Sequence, residues 1–219
     1  MSLLLAIETS SSEYRIALGR DERMIFDSAQ QRGQASSRDI AGLVGTGLRS
    51  LGAEARDISG ITINIGPGGL SYVRSGVAFA NALSFSLGIA IHAFNSFEIV
   101  GQEARAHTTL PVLCAIAAAN DNAYVGLVNG AFVEGMRFGV LGTVVAKVSG
   151  GLAEVAVAGR IRDRVSSLLP RVKVVDTGIE IPDARVLLEM GYRARERGLA
   201  PAGQVSPLNE QAAVFHEQT

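Results

Sequence analysis

Tryptophan is absent, cysteine occurs once, histidine three times, and aromatic residues make up only 5% of the chain. A single cysteine excludes an intramolecular disulfide, and a reducing compartment is the natural expectation. Cys114 stands inside the apolar run Val112–Ile116 and reads as a small core residue. His92, His107 and His216 include no two that stand four apart, so no helix carries two imidazoles on one face for a metal. Each reads as a surface or partly buried histidine. There is no Gly-x-Ser-x-Gly, and Cys114 has no activating partner nearby in sequence, so peptidase chemistry is not expected. Neither sign of charge dominates: 20 basic and 21 acidic residues leave a formal net charge of −1. No global field draws the chain to nucleic acid, and any such attraction must come from a local patch or a partner. No apolar stretch reaches the ~18 residues of a membrane span. Leu3–Ile7 is too short for a signal sequence and has no basic flank, so a cytoplasmic protein is expected.

What the chain has is apolar surface to bury. Hydrophobic residues make up 47% and charged residues 19% of its 219 positions, enough for one large domain or two lobes. Leu3–Ile7, Tyr14–Leu18 and Met24–Ala29 read as strands joined by short polar turns, hence an antiparallel meander. From Ser36 to Leu51 the apolar period becomes helical, with a serine as the expected N-cap and Gly52 as the stop. Ile61–Ile65 is a strand, about Ser75–Leu87 a helix, Ile89–Ala93 a strand, and Asn95–Ala106 a helix. Beyond them come expected strands at Val112–Ala118, Tyr124–Val128 and Phe132–Phe138, the last two flanking the turn signal Asn129-Gly130. Thr143–Val148 and Leu152–Val157 read as further strands, Arg160–Leu169 as a helix, Val172–Val175 as a strand, and Asp183–Arg197 as a helix. Strand–helix alternation after a meander predicts mixed sheets covered by helices.

Two short segments carry chemical interest. Gly66-Pro67-Gly68-Gly69-Leu70-Ser71-Tyr72-Val73-Arg74-Ser75-Gly76 joins a strand to a helix, where glycines permit close backbone approach and the helix start favours an anion. It is neither a Walker A loop nor a dinucleotide fingerprint; a tight turn whose glycines serve only packing explains it about as well. Glu8-Thr9-Ser10-Ser11-Ser12 closes the first strand with a carboxylate and hydroxyls suited to a phosphate or a metal-bound water. An ordinary polar hairpin turn is the simpler alternative.

Together these segments resemble the TsaB/YeaZ family, glycoprotease-like members of the actin/sugar-kinase/Hsp70 superfamily. Ala6-Ile7-Glu8-Thr9-Ser10 stands where the family has a strand running into Asp-Thr-(Ala/Ser). Gly66, Pro67, Gly68, Ser71, Val73, Arg74 and Gly76 match its Gly-Pro-Gly-Ser-Phe-Thr-Gly-Leu-Arg-(Ile/Val)-Gly hallmark. Ile89–Glu98 and Val112–Tyr124 extend the resemblance over essentially the whole chain. It implies two actin/Hsp70-like (RNase H-like) lobes, residues 1–108 and a smaller 109–219, each a mixed sheet covered by helices. The last helix is free to pack back on the first lobe.

The resemblance further implies a non-catalytic partner of a TsaD-type threonylcarbamoyl transferase in tRNA N6-threonylcarbamoyladenosine synthesis. A TsaE-type ATPase joins such assemblies, homodimers form when the transferase is absent, and tRNA is engaged indirectly. Phosphate-binding residues by analogy are Glu8, Thr9, Ser10, Gly66, Gly68, Gly69, Ser71 and Arg74. The helix pair Ser36–Leu51 and Ser75–Leu87 is the expected docking surface, with Ile40, Leu43, Gly47, Val77, Ala80 and Ser84 at the interface. Departures bear on catalysis: Glu8 replaces the family's Asp, Ser36-Ser37 its His-Ser, and Ala117-Ala118-Ala119 its Asp-Ala-Arg, while Asn122 falls where a Glu is expected. Asp121 is then the only carboxylate nearby. No catalytic residue and no resident cofactor is expected, and ATP or ADP with magnesium enters only at the level of the complex. The alternatives are an ATP-dependent small-molecule kinase or carbamoyltransferase on the same scaffold, and a self-associating regulator that has lost the partnership. Arg185, Arg193, Arg195 and Arg197, interspersed with Glu189 and Glu196, read as a solvated helix face.

Overall fold

A strand covered by helices on both faces must be apolar on both, and Leu3–Glu8 (β1) is buried at all six positions. In the computed structural model, which describes residues 3–30, 38–130 and 132–208, β1 lies at the centre of a five-stranded sheet. It pairs antiparallel with β2 (Arg15–Arg20), which pairs antiparallel with β3 (Arg23–Asp27), and this is the expected meander. After α1 (Ile40–Ser50), β4 (Ile58–Asn64) returns parallel to β1. The helix α2 (Leu70–Leu87) then leads to β5 (Ala90–Phe94), parallel to β4, giving the order β3-β2-β1-β4-β5. Leu3, Leu5 and Ile7 point to the core beneath α1 and α2.

A second sheet follows. Its elements are α3 (Ser96–Ala104), β6 (Val112–Ala117), β7 (Asn122–Asn129), β8 (Phe132–Val140), α4 (Leu141–Val148), β9 (Glu154–Ala158), α5 (Arg162–Ser167) and β10 (Lys173–Asp176). The strand order is β10-β9-β6-β7-β8, with β6, β7 and β8 antiparallel and β6, β9 and β10 parallel. Residues of β6 alternate between two cores: Val112 and Cys114 meet Phe97 and Val100 of α3, while Leu113 and Ala115 meet Val144, Val145 and Val165.

The last helix, α6 (Ala184–Glu196), packs on β1, β2 and β4. Gly191 sits against Leu4 and Thr62, and Tyr192 against Gly19, so α6 covers the face of the first sheet that α1 and α2 leave. Contacts among the described residues accordingly group the chain up to Asn95 with Asp183–Pro207 as one unit and Ser96–Pro182 as another. The helix α3 counts with the second unit because it packs on β6, β7 and β8.

Three local expectations are corrected. Thr143–Val148 is not a strand: it lies in α4, whose buried residues Leu141, Val144 and Val145 recur at helical spacing. The N-cap of α1 is Asp39, whose side chain accepts from the Gly42 N–H at 2.8 Å; Ser36 and Ser37 lie outside the described residues. The helix after the glycine loop begins at Leu70 instead of Ser75, with Gly69 as its N-cap.

Candidate functional site

The end of β1 and the loop after β4 meet at one end of the first sheet because the two strands are parallel neighbours. Glu8 is 1% exposed. Its Oε1 accepts both the Ser10 N–H and the Ser10 hydroxyl at 2.6 Å, and its Oε2 accepts the Asn64 amide at 2.5 Å. Asn64 turns its own carbonyl oxygen to the Gly66 N–H at 2.8 Å. Gly69 donates its N–H to the Ser10 carbonyl at 2.8 Å, so the two loops are tied together directly. Gly68 lies so close to Ser10 that a Cβ there would overlap the Ser10 backbone oxygen, a close approach that only glycine permits. Gly66 combines a positive φ of 96° with a cis bond to Pro67. Thr9 is buried against Gly76 of α2, its hydroxyl without a hydrogen-bond partner.

Burial pushes the Glu8 carboxyl above its ordinary value of 4.5, while the bonds from Ser10 and Asn64 and the charge of Arg15 pull the other way. Both carboxylate oxygens are already engaged by donors of the protein itself. Among the described residues no three His, Cys, Asp or Glu side chains gather to hold a metal ion. Glu8, the acid of the cradle, lies sealed beneath its own loop with neither oxygen open to a metal-bound water.

Of the residues expected to bind phosphate, Glu8, Thr9, Ser10, Gly66, Gly68 and Gly69 come together here. Ser71 and Arg74 do not join them; both are exposed on α2. Sequence reasoning missed Asn64, although a polar residue at the end of an apolar strand was a visible signal. It also missed a stack beside the loop, where the Arg38 guanidinium lies 4.8 Å over the Tyr72 ring and Tyr14 meets Tyr72 edge-on at 6.0 Å.

The six residues expected at an interface all turn inward. Ile40, Leu43, Gly47, Val77, Ala80 and Ser84 are buried in this unit, with Ile40, Leu43, Val77 and Ala80 in the core on the sheet. The outward face of α2 is made by Ser71, Arg74, Ser75, Ala78, Ala82 and Phe85. Phe85 is 91% exposed, with small side chains at Ala78 and Ala82 on the same stripe.

Elsewhere, Asp121 stands exposed in the β6–β7 turn, paired with Arg164, and Ala117 closes β6 without a polar group. His92 is buried on β5 and held below its usual value by burial and then by the nearby charge of Arg195. His107 is exposed, and His216 lies outside the described residues. On α6, Arg185, Arg193 and Arg195 alternate with Glu189 and Glu196 on the exposed side.

The chain matches the family model described as TsaD, tRNA N6-adenosine threonylcarbamoyltransferase, over residues 30–160, more than half its length. It is 32% identical over 102 residues to the tRNA threonylcarbamoyladenosine biosynthesis protein TsaB of Bacillus subtilis, covering 47% of this chain and 44% of that protein. It is 30% identical over 112 residues to a tRNA N6-adenosine threonylcarbamoyltransferase of Geotalea uraniireducens, covering 44% of this chain and 33% of that one. The chain thus spans less than half the length of these curated relatives. The solved structure of YeaZ from Pseudomonas aeruginosa superposes with a TM-score of 0.73 at 24% identity, over 95% of this chain and all of the other. A ROK family protein from Streptococcus pneumoniae gives 0.52 at 11% identity, over 90% of this chain and 100% of the other, a likeness of fold. By the model it matches over more than half its length, the chain belongs to the family described as TsaD, tRNA N6-adenosine threonylcarbamoyltransferase, and within it is similar in sequence to TsaB and in fold to YeaZ.

Proposed function

We propose that this protein is a non-catalytic partner of a TsaD-type threonylcarbamoyl transferase in tRNA N6-threonylcarbamoyladenosine synthesis. The observation that carries this reading is the sealed cradle: Glu8, which a phosphotransfer site needs free for a metal-bound water, spends both oxygens on Ser10 and Asn64. The kinase or carbamoyltransferase alternative requires that carboxylate to be open.

A partner role needs a surface. The outer face of α2 supplies one, with an aromatic anchor at Phe85, small residues that allow close approach at Ala78 and Ala82, and a cation at Arg74. The transferase docks there with an apolar pocket for Phe85 and an acidic group for Arg74. Without the transferase, a second copy of the chain takes its place. A TsaE-type ATPase, ATP with magnesium and tRNA enter through the assembly, in the cytoplasm.

The test is co-expression with the transferase of the same genome. The two should co-purify, and this chain should restore modified tRNA in cells depleted of their own TsaB. Phe85→Ser should abolish co-purification while leaving unit stability within about 0.5 kcal/mol, as expected of an exposed position. Failure to bind the transferase and to restore the modification, or robust ATP turnover by the chain alone, would reject the proposal.

A further inference from the structure

Beyond α6 the chain wraps the edge of the first sheet. The Leu199 N–H closes the helix on the Ala194 carbonyl at 2.9 Å, after the left-handed Gly198. At β5 the chain makes a two-way bridge: Ile91 donates to the Ala202 carbonyl at 3.0 Å, and Ala202 donates to the Ile91 carbonyl at 2.8 Å. Three residues on, Asn81 of α2 takes hold of it. The Asn81 amide donates to the Val205 carbonyl at 2.9 Å, and its carbonyl oxygen accepts the Val205 N–H at 3.0 Å. Val205 packs on the core beneath α1 and α2. The strap Leu199–Pro207 therefore passes from the helix layer on one face of the sheet, round β5, to the layer on the other.

Asn81 lies one turn from both Ala78 and Phe85, inside the proposed docking stripe. In the second half of α2, Ala80 and Ser84 are buried, and Phe79, Leu83 and Leu87 pack half-buried on the core. These contacts hold one side of the turns to the core, and the two Asn81 bonds tie them to the strap.

We propose that the strap is a positioning element for docking: through Val205, Asn81 holds the Phe85-bearing half of α2 in the attitude that the transferase receives. This rests on the reading of the α2 face given above. All four bonds close on strap backbone, which leaves Gly203, Gln204 and Ser206 free in identity and exposed.

The test compares the full chain with Asn81→Ala, which loses both bonds, and Asn81→Asp, which keeps only the acceptor for the Val205 N–H. Two readouts are taken: amide hydrogen exchange, and calorimetric titration with the cognate transferase. Asn81→Ala should speed exchange at Ala202 and in α2 residues 82–87 by about tenfold or more, leave β1 and β4 unchanged, and weaken binding about tenfold; Asn81→Asp, which sets a carboxylate oxygen against the Val205 carbonyl, should do at least as much. Faster exchange at Ala202 with α2 exchange and affinity both at wild-type values would overturn the proposal, as would unchanged exchange throughout. If the wild-type chain fails to bind the transferase, the functional reading falls, and the exchange comparison alone still decides whether Asn81 restrains α2. Should Asn81→Ala not fold, Asn81→Asp carries the same comparison.

Discussion

The Asn64 side chain donates to Glu8 at 2.5 Å while accepting the Gly66 N–H at 2.8 Å, so its amide has only one useful orientation. Glu8→Gln then has no good rotamer: with its oxygen toward Ser10, its NH2 meets the NH2 of Asn64. The unmade buried bond should cost about 1–3 kcal/mol, read as a lower urea midpoint at unchanged slope. The paired variant Glu8→Gln with Asn64→Asp puts a donor opposite an acceptor again and keeps an acceptor for the Gly66 N–H. It should recover most of the loss. A double variant no better than Glu8→Gln alone would show that the hydrogen-bond pattern is not what holds the two loops.

The same carboxyl makes stability depend on pH. Because burial raises its value above 4.5 in the folded chain, the native state binds this proton more tightly than the unfolded state does. The stability linked to it is fully present below the unfolded value and is lost as pH rises through the folded one. Urea midpoints of wild type and Glu8→Gln from about pH 4 to pH 8 should show the gap between them narrowing with rising pH. A gap that widens over that window would contradict the raised value.

Much of this was legible in the sequence, and what was not has physical reasons. The run Leu3–Ile7 announced a strand buried on both faces, and short polar turns announced the meander. Asn64 was visible as a polar break in an apolar strand, but its partner Glu8 lies 56 residues away, so its role required the parallel pairing of β1 and β4. Thr143–Val148 is rich in β-branched residues and reads as a strand; burial of Leu141, Val144 and Val145 on the second sheet overrides that local preference. On α2, Ala78 and Ala80 look alike in sequence, yet one is exposed and the other wholly buried. Small residues leave the inward face of a helix ambiguous, and for that reason the expected interface pointed the wrong way.

Two glycine substitutions should have opposite signs. Gly68→Ala drives a Cβ into the Ser10 backbone, which cannot yield without breaking the bond from Gly69. About 1–3 kcal/mol of destabilisation is expected from such overpacking. Gly142, in α4, has its nearest neighbour at 4.0 Å, so alanine there meets no obstacle and gains helix propensity. Thermal unfolding should show Gly142→Ala unchanged or stabilised, by up to about 1 kcal/mol. If Gly68→Ala were harmless, the close tie between the loops at this point would be wrong.

Cys114 reports on the second unit alone. It is fully buried on β6 against Tyr124 and Phe97, and burial pushes its thiol up to about 12. The thiolate is the reactive form, so at pH 8 only roughly one thiol in ten thousand is ready to react even where reagent can enter. An aromatic disulfide should leave the folded protein unlabelled and titrate one thiol in urea, since the chain has a single cysteine. Slow labelling of the native state then measures the opening of this sheet. Val144 lies on the sheet's other side, in the core that α4 covers. Val144→Ala, with an expected loss of about 1–2 kcal/mol from the cavity, should speed labelling by roughly tenfold if both faces open together. Labelling that ignores Val144 would mean that the α3 side opens by itself, and the sheet would not be the cooperative unit its shared strands suggest.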